Sequence, residues 1–74
     1  MRLSWPIEDL QRRKLDLIND ALEDYREVVA RTGHISAGLP HDWDIETRRT
    51  GGGRRTCDYL VCYVEVVPAR EEAA

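Results

Sequence analysis

The chain has 74 residues, a formal net charge of −3 at pH 7 and two cysteines. This length allows one domain at most, taken here as residues 1–74, and two cysteines are too few for a disulfide framework. No apolar run is long enough for a signal peptide or a membrane span, so we expect a cytoplasmic protein without a membrane partner. The acidic balance disfavours nucleic acid as a partner of the chain as a whole.

The first predicted element is a long helix over residues 5–32. Apolar side chains recur there with a period of about 3.6 residues and define one stripe. The stripe consists of Ile7, Leu10, Ile18, Ala21, Leu22, Tyr25, Val28 and Val29. Ser4 has the side chain of an N-cap, Pro6 is tolerated in the first turn, and Gly33 is a natural stop. Residues 33–41 are predicted to be a connector, because glycine and proline interrupt the pattern there.

Residues 42–68 are predicted to form an antiparallel β-hairpin. Apolar and polar residues alternate over residues 42–48, and residues 57–67 are rich in valine and tyrosine before Pro68 stops the run. Residues 69–74 are interpreted as a flexible tail. The predicted fold class is therefore α+β, with one long N-terminal helix packed on a C-terminal hairpin.

Two registers of this hairpin are compatible with the sequence. A loop of three glycines would set Glu46 against Asp58, which is an unfavourable pair of like charges. A four-residue loop that includes Arg54 would place Ile45 opposite Leu60 and give one purely apolar face. We favour the second register, although a slip of one residue would exchange the two faces.

The second predicted strand is apolar on both faces, and one helix covers only one of them. Burial of a valine or a similar side chain stabilises a fold by about 1.5–3 kcal/mol, so a bare face forfeits several kcal/mol. An isolated two-stranded hairpin is also barely stable in water. We therefore expect self-association, as a homodimer or a larger ring, to complete the sheet. The predicted interface consists of Trp43, Tyr59, Val61 and Tyr63.

The stretch RRTGGGRRT over residues 48–56 gathers four arginines and no acidic residue, whereas residues 1–47 carry six basic and ten acidic residues. Glycine backbone and bidentate guanidinium groups suit a phosphate. The predicted ligand-binding residues are Arg48, Arg49, Gly51, Gly52, Gly53, Arg54 and Arg55. The alternative is a solvated turn whose arginines keep the strand edge soluble, since no established phosphate-loop pattern is present.

Other reactive side chains give weaker signals. Cys57 and Cys62 are five residues apart on a predicted strand, so they lie on opposite faces and cannot form an intrachain disulfide or share a metal within one chain. An intersubunit disulfide stays open but is disfavoured in a reducing compartment. His41 with Asp42 or Asp44 could supply a general base, but the spacing matches no catalytic or metal motif. We expect no metal and no cofactor.

The function predicted from these signals is that of a small, non-enzymatic, homo-oligomeric binding module. Its ligand would be a phosphate-bearing molecule, either nucleic acid or a nucleotide, held at the arginine-rich hairpin tip. The second candidate is a protein–protein interaction module, an inhibitor or an assembly component, that uses the apolar hairpin face. An enzyme that uses His41 with Asp42 or Asp44 is the least favoured candidate.

Overall fold

The computed structural model describes residues 1–69, which contain one α-helix and five β-strands. In chain order the elements are β1 (Arg2–Pro6), α1 (Lys14–Arg31), β2 (His34–Ser36), β3 (His41–Thr50), β4 (Arg55–Tyr63) and β5 (Val66–Pro68). One antiparallel sheet has the strand order β1-β4-β3, and β2 pairs with β5 in a second antiparallel sheet. The predicted α+β class, with one helix and antiparallel strands, is confirmed. Most of the predicted tail, residues 70–74, lies outside the described residues.

The first segment of the chain is a strand and not the beginning of the helix. β1 pairs antiparallel with β4, and Trp5 lies opposite Leu60. The helix begins at Lys14 and ends at Arg31. The prediction of helix over residues 5–32 was therefore wrong for residues 5–13.

Pairing with a distant strand decides the conformation of this segment. Leu3, Trp5 and Ile7 alternate with polar residues or proline, and this period of two buries Leu3 and Ile7 against the core. Leu10, which the helical pattern placed on the apolar stripe, is 71% exposed. Pro6 is compatible with β1 because β1 is an edge strand, where a missing N–H need not break the ladder.

The hairpin of β3 and β4 has a four-residue loop. Thr50 pairs with Arg55, so residues 51–54 form the loop, and Ile45 lies opposite Leu60. This is the register in which Arg54 belongs to the loop.

The end of the predicted second strand turns away from the hairpin. β4 stops at Tyr63, and Val66–Pro68 pairs with His34–Ser36 instead. The stretch that the sequence predicted to be a connector, residues 33–41, therefore contains strand β2 and the first residue of β3. A strand of three residues is too short to show a recognisable period of two in the sequence. β2 and β5 are extended because they pair with each other.

The core lies between α1 and one face of the sheet β1-β4-β3. Ala21, Tyr25 and Val29 are the buried residues of α1, and they follow one another at intervals of four along its apolar stripe. One cluster consists of Leu3, Tyr25, Val29, Cys62 and Val64, and a second consists of Ile7, Ala21 and Leu60. No helix in residues 1–69 has the length and apolarity needed to cross a membrane.

The opposite face of this sheet is partly covered by the chain's own side chains, and Tyr63 on it is 45% exposed. The Arg2 guanidinium on β1 and the Glu46 carboxylate on β3 meet at 2.7 Å across the middle strand. The Cζ atom of Arg48 lies 4.3 Å from the centre of the Tyr59 ring. Val61 is only 6% exposed. Because β1 fills the second edge of β4, the isolated hairpin from which we expected self-association does not exist. Self-association itself stays a prediction.

Candidate functional site

The β3–β4 hairpin continues beyond the core as a two-stranded arm. We define the arginine arm as residues 47–58. The ladder between β1 and β4 ends at Pro6 and Tyr59, and the Ile7 N–H then donates to the Asp58 carbonyl at 2.8 Å. Past this point the two strands of the arm pair only with each other, over roughly 10–13 Å at the usual rise per residue. The molecule is accordingly elongated, with extents of 50 × 29 × 17 Å.

The glycines at the end of the arm are required by its backbone. Gly51, Gly52 and Gly53 have φ angles of 61°, 73° and 87°. Residues with a Cβ adopt this left-handed region at a cost, and three in succession would add that cost three times. The Gly53 N–H donates to the Thr50 carbonyl at 3.1 Å, so it closes the turn and is not free for an anion.

The four arginines are distributed around the arm. Residues directly opposite each other share a face of a β-ribbon, and successive residues alternate between faces. Arg48 therefore shares a face with Arg55, which pairs with Thr50, whereas Arg49 lies on the other face and Arg54 belongs to the loop. The structure brings these side chains to one end of the molecule, but not around one point.

Arg48 differs from the other three arginines because it is engaged at the base of the arm. Its Nε donates to the Glu46 carboxylate at 2.7 Å, and its guanidinium lies over Tyr59. Hydrogen bonds from Arg2 and from Arg48 hold the pKa of the Glu46 carboxyl below its ordinary value. Within residues 1–69, the guanidinium groups of the arm's remaining arginines have no carboxylate within 4 Å. The charge available at the tip therefore belongs to Arg49, Arg54 and Arg55, all of which are exposed.

The predicted interface residues do not form one surface. Tyr59, Val61 and Tyr63 lie on the sheet face away from α1, where Val61 is buried and Tyr63 is 45% exposed. Trp43 lies on the helix side and stacks on Trp5, with the ring centres 6.2 Å apart and the planes at 24°.

The histidine and aspartates of the least favoured candidate lie at an irregular point of the sheet. The pairing of β3 shifts between His41 and Asp44, and Asp42 has a φ of 57°. His41 Nδ1 lies 3.1 Å from the Asp42 carboxylate, and its Nε2 lies 3.8 Å from that of Glu65. Asp44 accepts the N–H of Ile45 at 2.8 Å. In the described part of the chain, no three such side chains are arranged to hold a metal ion.

The two cysteines are free thiols in different surroundings. Cys57 is half-buried in the arm and Cys62 is fully buried in the core beside Leu3. Burial raises the pKa of the Cys62 thiol to about 11, because the thiolate would lose its hydration. Cys62 is therefore an unreactive core residue at neutral pH.

The sequence did not predict a cleft of about 420 Å³ between β1 and α1. Its lining combines apolar and charged side chains: Trp5, Pro6, Ile7, Glu8, Asp9, Arg12, Leu17, Asp20, Ala21, Asp24 and Leu60. The alternation of Leu3, Trp5 and Ile7 was the signal that could have indicated a strand opposite the helix, and hence this cleft. A second cleft of about 420 Å³ lies between α1 and β2. No residue of the arginine arm lines either cleft.

In comparisons with known proteins, no family model matches this chain, and no match was found among curated proteins or among solved structures.

Proposed function

We propose that this protein is a non-enzymatic binding module that contacts nucleic acid through its arginine arm. The observation that supports the proposal is the arm itself. It projects from the core and carries three exposed arginines, Arg49, Arg54 and Arg55, none of which has a carboxylate within 4 Å in residues 1–69. Arginine in such a position forms charge-assisted, bidentate contacts with phosphate oxygens.

The shape of the arm favours nucleic acid over a free nucleotide. Small ligands bind in concave sites that bury most of their surface, whereas the arm is convex and lines neither cleft. A two-stranded β-ribbon is one of the shapes that the major groove of DNA admits. Arginines on both faces of the ribbon, as described for Arg49 and Arg55, would be directed towards the phosphates on the two sides of a groove.

The net charge of −3 does not prevent such binding. Seven of the twelve acidic residues within residues 1–69 lie on α1 or in the loop before it, and Glu46 near the base of the arm is paired with Arg2 and Arg48. The arm carries its tip roughly 10–13 Å beyond the core. The Debye length at physiological ionic strength is about 8 Å, so repulsion between the body and a bound phosphate is largely screened.

The test is the salt dependence of binding to a short fluorescein-labelled DNA duplex, measured by fluorescence anisotropy. The variant replaces Arg49, Arg54 and Arg55 with glutamine. Each phosphate contact contributes about 0.9 to the slope of log K against log salt, so the slope should fall by roughly 2.7. A slope that is flat in the wild type, or unchanged in the variant, would refute the proposal.

The matched control replaces Arg13, Arg26 and Arg31 with glutamine. These arginines are exposed, lie at or on α1, and give the same change in net charge. The control should have a slope of log K against log salt that differs from the wild-type slope by less than about 0.9, the contribution of one phosphate contact. An equal loss in both variants would mean that overall charge, and not the arm, drives binding. Tight binding of ATP alone, lost in the arm variant, would assign the arm to a nucleotide.

A second candidate function, association with a protein partner, is supported by the small sheet of β2 and β5. Ile35 and Val67 lie opposite each other in this sheet, and their side chains are 56% and 46% exposed. Leu39, four residues after Ile35, is also exposed. We propose that this pair, in place of the Tyr59 face, is the contact used in a homodimer. In sedimentation equilibrium Ile35→Asp should convert a dimer into a monomer. A wild-type monomer, or a variant that stays dimeric, would remove this candidate.

A further inference from the structure

The cleft between β1 and α1 has an apolar floor and an aromatic wall. Ile7, Ala21 and Leu60 form one of the two core clusters and also line the cleft, so its floor is the rigid core itself. Trp5 forms part of the wall. Its indole Nε1 donates to the Asp24 carboxylate at 3.2 Å, so the orientation of the ring is held by a hydrogen bond.

The same Trp5 ring is supported from outside the cleft. Trp43 stacks on it but does not line the cleft. A tryptophan held in this way has little rotamer freedom left to lose on binding, and its ring attracts cations through its quadrupole. The wall is therefore preorganised for a ligand that combines an apolar group with positive charge.

The charged residues of the lining have a strong negative excess. Four carboxylates stand against one guanidinium, and this guanidinium is already bound. Arg12 Nη1 contacts the Asp20 carboxylate at 2.6 Å, and its Nη2 donates to the Asp16 carbonyl at 3.3 Å. Neutralisation of Asp20 by Arg12 leaves the charges of Glu8, Asp9 and Asp24 without compensation within the lining.

Asp24 is the carboxylate best placed to receive a ligand. It is half-buried, whereas Glu8, Asp9 and Asp20 are exposed, so a charge–charge contact at Asp24 is the least screened by water. Its hydrogen bond from Trp5 uses only the Oδ2 atom, and a carboxylate has acceptor sites for several donors.

We propose that this cleft binds a small organic cation with an apolar body, such as an arylalkyl amine, with the apolar body on the Ile7–Leu60 floor and the ammonium group at Asp24. The volume of about 420 Å³ lies within the range of small-molecule sites. The proposal is independent of the arginine arm, because the cleft and the arm share no residue.

The experiment uses three probes that have similar shapes and different charges. Phenethylamine is the cation, phenethyl alcohol the neutral analogue and hydrocinnamate the anion. Each is titrated into the ¹⁵N-labelled protein, and the readout is the indole N–H resonance of Trp5, which reports directly on the Asp24 contact. We expect phenethylamine to bind with a Kd of about 1 mM, typical of a small ligand, and to move the Trp5 resonance more than that of Trp43.

The key variant is Asp24→Asn, which removes the charge but keeps an oxygen that accepts the Trp5 indole N–H. Loss of a hydrogen bond to a charged group should weaken phenethylamine binding roughly 10- to 100-fold. The matched control is Glu23→Gln, which removes one charge at the neighbouring position of α1, outside the lining. It should leave the Kd within about twofold, as expected for a screened surface charge.

Three results would overturn the proposal. One is equal binding of phenethyl alcohol and phenethylamine, because the carboxylates would then play no part. Another is an equal effect of Glu23→Gln and Asp24→Asn on the Kd, because the overall negative charge of this region, and not a specific contact at Asp24, would then explain binding. The third is a Trp5 resonance that does not move at about 10 mM amine, ten times the expected Kd. The first and third comparisons use the wild-type protein, so they hold even where Asp24→Asn fails to fold.

Discussion

Leu3 and Leu10 distinguish the observed strand from the helix that the periodicity predicts. In a helix over residues 5–32, Leu10 would lie on the buried stripe and Leu3 would precede the first turn. In the structure Leu3 is 4% exposed and packs in the cluster that contains Tyr25 and Val29, whereas Leu10 is 71% exposed. The substitutions Leu3→Ala and Leu10→Ala remove the same atoms from these two environments.

The expected difference in stability is large. Truncation of a buried leucine to alanine lowers the free energy of unfolding by about 3–5 kcal/mol, because apolar burial is lost and a cavity is left. A domain of this length has a total free energy of unfolding of roughly 4–11 kcal/mol, so Leu3→Ala should remove about half of its stability. Leu10→Ala should change the free energy of unfolding by less than about 0.5 kcal/mol, as is usual for a surface position.

The assay is urea denaturation followed by tryptophan fluorescence, which reports on the stacked indoles next to Leu3. The slope of the free energy of unfolding against urea concentration should be the same in both variants. The change in stability then appears only in the urea concentration at the midpoint of unfolding. Thermal melts should agree, with a drop in Tm of roughly 12–40 °C for Leu3→Ala. A loss in Leu10→Ala that equals or exceeds the loss in Leu3→Ala would refute the assignment of β1.

Ellman's reagent should modify Cys57 in the native protein and Cys62 only after unfolding, because burial keeps Cys62 as a thiol with a pKa of about 11. The pKa of Glu46 is lowered by its contacts, Arg2 first among them, so its contribution to stability is complete above the unfolded pKa of about 4.3 and declines as the pH falls towards the lowered value. An NMR titration should therefore give Glu46 a low midpoint that rises in Arg2→Gln. Gly53→Ala should lower the free energy of unfolding by about 1–2 kcal/mol, since its φ of 87° is costly for alanine although no atom lies within 4 Å of the added Cβ.

These predictions have clear controls. Gly38→Ala also meets no atom within 4 Å but lies outside the left-handed region, so it should be neutral or slightly stabilising. An equal cost at Gly38 and Gly53 would mean that the loop conformation is not as described. Two thiols that react at the same rate in the native protein would contradict the burial of Cys62. A Glu46 midpoint that is unchanged in Arg2→Gln would show that the ion pair does not form in solution.

Local pattern was sufficient for the elements whose partners lie close in the chain. The helical stripe predicted the burial of Ala21, Tyr25 and Val29, and alternation with a glycine-rich turn indicated antiparallel strands on either side of residues 51–53. Local pattern was insufficient to predict strand β1. Pro6 fits the first turn of a helix as well as an edge strand, and only the pairing with β4 decides between the two.

The candidate site shows the same division. The concentration of arginine and glycine predicted where a basic tip would be, since both features belong to one short segment. The separate position of Arg48 depends on Glu46 and Tyr59, and on the strand register that brings all three to one face. The cleft depends on β1, which the helical periodicity does not predict, so local pattern does not indicate Asp24 as a binding residue.

The pairing of β1 with β4 also affects how the chain acquires its fold. Met1 and Val64, whose backbones are joined by hydrogen bonds, are 63 positions apart. Contacts so distant in sequence slow folding. Bringing the two segments together costs conformational entropy of the chain between them, and this cost comes before the contacts that offset it have formed. On a ribosome that adds about 5–20 residues per second, β1 would wait roughly 3–11 s for its partner strand. Until β4 has been made, Leu3 and Trp5 lack the strand against which they pair in the folded chain.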